Sequence, residues 1–395
     1  MKLLFSVPSG YHMRELFMPL HQLLETDPDI THVYCVTPAA QVHDQIFLHY
    51  SDKFSFHENP TDTEGYRKLF QELQPDLVVT DTVGHDVLDY PIVKVAQELD
   101  IASLTFIASW DNVWKIKRLL NDEKPVAVAD KLIVWNQMMK DHLLHIFPDL
   151  TAGRINVVGA PRLDYFFHEV KIPSKQALYE YLGFSDVARP LIHFATTELY
   201  PMDYVVEAVQ QAIASKEISY NPHLYASVHP GGKMKNHEGL RKLGVTVRYS
   251  FGRLESPPHP AFSYRPTEEE LYMLVALFKH ADLLINHSSS TALESLLGNT
   301  PVINVKFGKP LDWWRWYRSM VYRDFHEHYK DLIRDGATYV VNSKKQLIKA
   351  TEQALKNQIK NEQARQLTLQ RMITTTDGTA SQKTLNVLKE TAAKT

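Results

Sequence analysis

A chain of 395 residues, 44% hydrophobic and 23% charged, has the composition of an ordinary globular protein and the length for two domains. Its 43 basic and 46 acidic residues give a formal charge of -3, which offers no global reason to expect nucleic acid. A single cysteine, Cys35, excludes an internal disulfide framework and fits a reducing compartment. Met1-Lys2 leads directly into Leu3-Leu4-Phe5-Ser6-Val7-Pro8, too short for a signal-peptide core. No apolar run approaches the ~18–20 residues that span a bilayer. The expectation is a soluble cytoplasmic protein.

In chain order, residues 2–7 read as a first strand, followed by the turn Pro8-Ser9-Gly10-Tyr11-His12 and a helix over 14–25. Strands are expected at 31–36, 54–56, 75–80, 102–107, 129–135 and 155–158, with helices over 64–73, 87–99 and 137–146 between them. Residues 165–189 read as polar and helical, and the domain junction falls near here. A second set of strands is expected at 191–195, 223–228, 245–249, 283–285 and 301–305, with a helix over 204–215 and a Pro-rich loop at 256–264. Thr267 with Glu270 has the pattern of a capping box. An aromatic stretch, Trp313-Trp314-Arg315-Trp316-Tyr317, is expected to be buried between domains, with a sugar, lipid or subunit contact as alternatives. Residues 344–372 read as one long amphipathic helix and 380–389 as a last one. Strands alternating with helices imply parallel, doubly wound sheets, and such sheets collect ligands at the carboxyl ends of their strands. Tyr11-His12, Asp81 and Trp110-Asp111-Asn112 fall at such ends.

The stretch from Ala281 to Val305 is the most informative. A short apolar strand opens into Asn286-His287-Ser288-Ser289-Ser290-Thr291, then a helix carrying Glu294, a stop at Gly298-Asn299, and a β-branched strand. Hydroxyls at a helix N-terminus suit a phosphate or diphosphate, because unpaired N–H groups and the helix dipole favour an anion there. Plain helix capping is the bland alternative, but six polar residues in a row exceed what a cap needs. Glu294 reads equally as a hydroxyl acceptor or as a solvated or capping carboxylate. His326-Glu327-His328 lacks the spacing and third ligand of a metal site, so no metal ligand is assigned. Walker A, dinucleotide-binding and G-x-S-x-G motifs are absent, which leaves kinase, dehydrogenase and hydrolase readings without support.

His229-Pro230, the Ser288-to-Thr291 turn with Glu294, and Gly298-x-x-Pro301 together resemble the nucleotide-binding half of GT-B glycosyltransferases. Among these the chain looks most like bacterial surface-polymer enzymes, the CDP-glycerol glycerophosphotransferases and the sialyl and Kdo transferases. Ser109-Trp110-Asp111-Asn112, Val134-Trp135-Asn136 and Val158-Gly159-Ala160-Pro161-x-x-Asp164 resemble segments of bacterial surface-carbohydrate glycosyltransferases. The resemblance implies a fold of two Rossmann-like, doubly wound parallel-sheet domains facing a cleft. It divides the chain into an acceptor domain (1–170), a donor domain (171–372) and a C-terminal helix (373–395) packing back on the first domain.

It also implies that His229 and Ser288, Ser289, Ser290 or Thr291 contact the donor's phosphates. Thr196-Thr197-Glu198 occupies a loop where most such enzymes have glycine. Thr196, Thr197 and Glu294 complete the donor-site candidates. His12 is the candidate base for the acceptor hydroxyl, with Asp111 and Asp81 its rivals and with orienting His12 or capping the next helix as the alternatives for Asp111. The implied activity moves a sugar or polyol phosphate from a nucleotide donor to a hydroxyl of a surface-glycan precursor, without a resident cofactor or bound metal. CMP- or CDP-linked donors are favoured and UDP-linked ones come next. The partners are the donor and a glycan or lipid-linked acceptor, with peripheral contact at the inner membrane face a candidate. The alternatives are a nucleotide-sugar 2-epimerase and a non-catalytic nucleotide-binding subunit.

Overall fold

The computed structural model describes all residues except 8–12, 38–50, 82–89, 124, 230–231, 250, 252, 255–263, 359–360 and 394–395. The side chains of residues 253–254 and 264–265 also lie outside the description. His12 and most of the Pro-rich loop therefore fall outside the described residues. The chain divides into two compact units. The first comprises Met1–Phe167, Glu255–Thr267 and Gln370–Thr395, and the second His168–Leu254 and Glu268–Leu369.

Among the described residues, the first unit holds seven parallel strands: β1 (Lys2–Ser6), β2 (His32–Thr37), β3 (Phe54–Glu58), β4 (Leu77–Thr80), β5 (Ala102–Phe106), β6 (Lys131–Val134) and β7 (Ile155–Val157). They lie in the order β3-β2-β1-β4-β5-β6-β7, with Phe5 in register with Cys35 on one side and Val79 on the other. Strands in the middle of such a sheet are covered on both faces, so they read as continuous apolar runs such as Leu77-Val78-Val79. The connecting helices are α1 (Met18–Thr26), α2 (Thr63–Leu73), α3 (Tyr90–Glu98), α4 (Trp110–Asn121) and α5 (Gln137–Ile146). A single π-helical turn, Met13–Phe17, precedes α1. Asp62 caps α2 by accepting the Gly65 N–H at 2.8 Å, and Tyr66 and Phe70 bury the helix face on Leu4, Val36 and Val78.

The second unit holds β8 (Leu191–Ala195), β9 (His223–Val228), β10 (Thr246–Tyr249), β11 (Leu283–Asn286), β12 (Val302–Val305) and β13 (Tyr339–Val341). All are parallel, in the order β10-β9-β8-β11-β12-β13. Its helices are α6 (Lys175–Leu182), α7 (Asp203–Ala214), α8 (Glu238–Lys242), α9 (Glu268–His280), α10 (Thr291–Leu297), α11 (Trp313–Tyr317), α12 (Met320–His326), α13 (Tyr329–Ile333), α14 (Lys344–Leu355) and α15 (Glu362–Ile373). The division between units falls inside α15, and α16 (Ala380–Ala392) belongs to the first unit. Both sheets thus repeat one doubly wound strand order, with the direction of winding reversing beside the first strand of each. The expected fold class, two Rossmann-like α/β units of the GT-B type, is the one observed.

Three expectations need correction. Residues 165–189 do not form one helix. Short 3₁₀ turns at Pro161–Phe167 and Glu169–Lys171 precede α6, which starts after Pro173 with a Ser174 cap and stops at Gly183 with φ +85°. Residues 344–372 form two helices, because Asn357 takes the left-handed conformation (φ +57°) that ends the first. The aromatic stretch is not buried as a block: Trp316 is 5% exposed, but Trp313 is 69% and Trp314 54%. No helix among the described residues is long and apolar enough to cross a membrane.

Candidate functional site

Connectivity alone brings three of the sequence motifs to one edge of the second sheet. Thr196-Thr197-Glu198 leaves β8, His229 leaves its neighbour β9, and Ser288 to Thr291 leaves β11 on the other side. Beside β8 the winding reverses, and doubly wound sheets take ligands outside the carboxyl ends of their strands at that point.

The serine turn is held from below by a buried amide network. Asn286 ends β11 in register with Asn304 of β12, and both are fully buried. Asn304 Nδ2 donates to Asn286 Oδ1 at 2.5 Å, to the His287 carbonyl at 3.2 Å and to the Tyr329 hydroxyl at 2.8 Å, so its two protons are shared among three acceptors. Tyr329 passes its own proton to the Ser289 carbonyl at 3.2 Å. Burial pushes the Tyr329 phenol well above its ordinary pKa and keeps it a donor.

Above this layer the hydroxyls form a directed chain. Asn286 Nδ2 donates to Thr291 Oγ1 at 3.3 Å, and Thr291 Oγ1 donates to Ser289 Oγ at 3.0 Å. The Thr291 N–H points at the same Ser289 oxygen from 3.4 Å. With two donors on its oxygen, Ser289 has its own proton left for an acceptor outside the turn. Ser290 sits at the N-cap position of α10 in helical geometry (φ -60°, ψ -21°) and makes no cap hydrogen bond. Simple capping therefore does not use up these hydroxyls. Ser288 turns inward, toward buried Asp324 at 3.5 Å. Glu294 in the first turn of α10 is 6% exposed, so the solvated-carboxylate alternative does not hold.

His287 is a packing residue. Its two ring nitrogens face the Val305 carbonyl at 2.8 Å and the Pro201 carbonyl at 3.5 Å, and its ring lies among Tyr200, Tyr204 and Trp316. Burial lowers its pKa, against the pull of the two carbonyls.

On the β8 side, Thr196 is buried and donates its hydroxyl to the Ser227 carbonyl at 3.1 Å, so its proton is committed to the sheet. Thr197 Oγ1 accepts the Leu199 N–H at 3.1 Å, which leaves its proton for another partner. His229 is exposed, and its carbonyl accepts the Gly232 N–H at 2.7 Å. Glu198 organises the loop beyond it: the carboxylate accepts from Asn236 Nδ2 at 2.8 Å, His237 Nε2 at 3.0 Å and the Lys233 N–H at 3.3 Å. A Cβ at Gly232 would lie 2.6 Å from Glu198 Oε1 and 2.9 Å from the His229 carbonyl oxygen, so only glycine allows this approach. Sequence reading missed Glu198, Asn304 and Asp324 as builders of the site. The available signal was Asn304 itself, an amide inside a buried β-branched run that has to find partners.

In the first unit, Asp81 is 3% exposed at the end of β4, and Thr80 and Thr105 share a hydroxyl contact of 2.7 Å behind it. Asp111 lies in the first turn of α4 with Lys115 Nζ at 2.8 Å, an i,i+4 pair. Trp110 packs against fully buried Trp135 at 6.2 Å, the Arg162 guanidinium lies 5.2 Å above the Trp135 ring, and Arg162 pairs with Glu15 at 2.8 Å. The remaining resemblance motifs hold the chain together. Asn136 caps α5 at Met139 N and donates to the Met372 carbonyl. Asp164 accepts the Ala380 and Ser381 N–H groups at the start of α16. Among the described residues no group of three or more His, Cys, Asp or Glu is arranged to hold a metal ion. A cavity of about 600 Å³ in the second unit lies at the opposite, amino end of β9, lined by Phe184, Arg189 and His223, away from the serine turn.

No protein-family model and no curated protein matches the chain. Solved structures do match along its whole length. A UDP-GlcNAc 2-epimerase from Neisseria meningitidis, bound to UDP-GlcNAc, aligns with a TM-score of 0.62 at 14% identity, covering 100% of both chains. The wall teichoic acid polymerase TagF, soaked with CDPG, aligns with a TM-score of 0.61 at 12% identity, covering 100% of this chain and 89% of the other. A glycosyltransferase from Rickettsia africae aligns with a TM-score of 0.55 at 11% identity, covering 99% and 98%. The chain is thus a two-unit α/β protein of the GT-B fold. Identities at this level carry the fold and leave the chemistry to be argued from the site.

Proposed function

We propose that this chain is a glycosyltransferase that moves a sugar, or a polyol phosphate, from a nucleotide donor to a hydroxyl of a surface-glycan precursor. The observation that carries the reading is the alignment of His229, Thr197 and Ser289 at the carboxyl ends of three adjacent strands, with the Ser289 proton directed out of its own network. As the donor bond breaks, negative charge grows on the departing phosphate oxygens. Hydroxyl protons fixed by Asn286, Asn304 and Tyr329 meet that charge without reorganising, and His229 adds an imidazole. The phosphate is met by these groups rather than by a cation. The acceptor hydroxyl loses its proton to a general base, with His12 the candidate and Asp111 its rival or orienting partner. Cytidine-linked donors come first and uridine-linked ones second. GT-B-fold neighbours solved with UDP-GlcNAc and with CDPG support a nucleotide-activated substrate in general.

A second reading is favoured by the UDP-GlcNAc 2-epimerases among those neighbours. One assay separates the two. The protein is incubated with CMP-, CDP- and UDP-activated donors, with and without polyol or glycan acceptors, and nucleotides are resolved by chromatography. Acceptor-dependent release of free nucleotide supports the transferase. Interconversion of two nucleotide sugars without acceptor supports the epimerase. Nucleotide binding without any turnover points to a non-catalytic subunit, and absence of both binding and turnover contradicts the donor site.

A further inference from the structure

The segment from Lys309 to Met320 presents an unusual surface. Leu311 is 99% exposed, Trp313 69%, Tyr317 57%, Trp314 54% and Met320 44%. Five large apolar side chains within ten residues exceed the scattered exposure normal for a monomer's surface. Leu311 also sits on left-handed backbone at φ +65°, unfavourable for any residue with a Cβ. An aliphatic side chain held in strained backbone and in water is stable only because its scaffold fixes it there.

That scaffold is rigid from beneath. The Tyr200 hydroxyl accepts the Lys309 N–H at 3.0 Å. Trp316 is buried against Tyr200 and His287, at 5.1 and 5.8 Å between ring centroids. Ser319 donates to the Trp316 carbonyl at 2.7 Å and accepts the Tyr322 N–H at 3.1 Å to cap α12. A Cβ on Gly308 would lie 2.5 Å from Trp316 Cβ, so the strand-to-helix loop is packed to contact. Trp313 and Tyr317, one helical turn apart, stack edge to face at 6.5 Å. The outer face is bare while the inner face is fully packed.

We propose that this face docks the protein onto an anionic lipid bilayer, with Leu311, Trp313, Trp314 and Tyr317 entering the headgroup region. Tryptophan and tyrosine favour that boundary, where one end of the ring is apolar and the other wet. Charge selects the partner: Lys309, Arg315 and Arg318 against Asp312 leave a local excess of two positive charges on a chain of net -3. Asp312 lies 3.9 Å from Arg315, within the same patch. Basic residues beside an aromatic face are drawn to acidic phospholipid. A second copy of the chain fits poorly, since a two-fold contact would set the same positive charges against each other. A glycan fits poorly as well, because residues 309–320 contain no amide side chain and their only carboxylate is shared with Arg315. The surface does not depend on what binds at the serine turn. Through Trp316 and His287 it is nevertheless continuous with the strand end that carries Ser288.

The test is co-sedimentation of the full chain with vesicles of phosphatidylcholine alone or mixed equally with phosphatidylglycerol. The expected result is binding to the mixed vesicles only, weakened by salt. Arg318→Gln should lower the partition coefficient about fivefold, the effect of one basic side chain near an acidic surface. Leu311→Ser with Trp314→Ser should lower it roughly thirtyfold or more. Both variants remove exposed side chains, and unchanged thermal melts without vesicles confirm that they fold. Absence of binding to either vesicle, or binding that the folded variants leave intact, overturns the proposal. So do concentration-dependent self-association or oligosaccharide binding that the double variant abolishes while vesicle binding is absent.

Discussion

The two sheets wind in the same order, yet their carboxyl edges are used differently. At the edge of the first, the polar residues of the recognisable motifs are spent on the chain itself. Asn136 reaches the Met372 carbonyl, Asp164 receives two N–H groups of α16, and Thr375 donates to the Val158 carbonyl at 3.1 Å beside Gly159. Gly159 has φ +96°, and a Cβ there would lie 2.6 Å from Thr375 Cβ. At the edge of the second, a buried layer of amide and phenol holds the serine turn, where two donors from Thr291 occupy the Ser289 oxygen and leave the Ser289 proton for a further partner. One fold thus carries motif residues of two kinds. Those whose hydrogen bonds close internally serve stability, and those left with a directed, unspent proton serve a ligand.

That contrast is exposed to four substitutions and one change of condition, with the substitutions in decreasing order of their effect on stability. Asp164→Ala removes a buried carboxylate from the start of α16 and should cost about 3 kcal/mol in denaturant melts, with nucleotide binding retained. Near-normal stability with loss of nucleotide binding would break the contrast. Asn304→Ala takes out the hub under the serine turn and should cost about 2 kcal/mol while also weakening nucleotide binding about tenfold.

Acid should loosen the second unit first. Burial pushes His193 down to about 3, with Ser227 Oγ 2.7 Å from its Nε2, and lowers His287 and His223 as well. A histidine whose folded pKa lies below its unfolded value contributes stability that is complete above about pH 6.5. As pH falls from there toward 3, the unfolded chain takes up a proton that the folded one refuses, so stability drops by up to about 1.4 kcal/mol per pH unit for His193. Hydrogen exchange by peptide, compared at neutral and mildly acid pH, should show β8 and β9 losing protection before β1 and β4. The reverse order would contradict this assignment. The smallest stability change belongs to Ser289→Ala and Asp111→Asn, each within about 0.5 kcal/mol. Ser289→Ala alone should lose nucleotide binding.

Much of this was legible in the sequence because it is local. Apolar runs gave the strands, the residues around Ser288 marked a strand end and helix start, and the β/α alternation implied two doubly wound units. What was not legible depends on partners far along the chain. Asn304 and Tyr329 are 25 residues apart, and Asp164 and Ser381 are separated by 217. The break between α14 and α15 is not legible because residues 356–361 have a polar composition compatible with a helix, and the left-handed stop at Asn357 carries no strong local signal. The aromatic stretch was misread because apolar composition signals burial only when something covers it. Here the chain covers Trp316 and leaves Trp313 and Trp314 outside.

The most direct test of the central claim, that the second sheet's carboxyl edge is a nucleotide-donor site, is a thermal-shift panel. CMP, CDP, UDP, GDP and ADP are added with and without Mg²⁺ to the wild type, Ser289→Ala and His229→Ala. A ligand of the folded state stabilises by ~2.7 kcal/mol at a hundredfold excess over Kd. The account predicts Mg²⁺-independent stabilisation by a cytidine or uridine nucleotide, lost in both variants, whose melts without nucleotide match the wild type. Stabilisation that survives in both variants, or no response to any nucleotide, would contradict it.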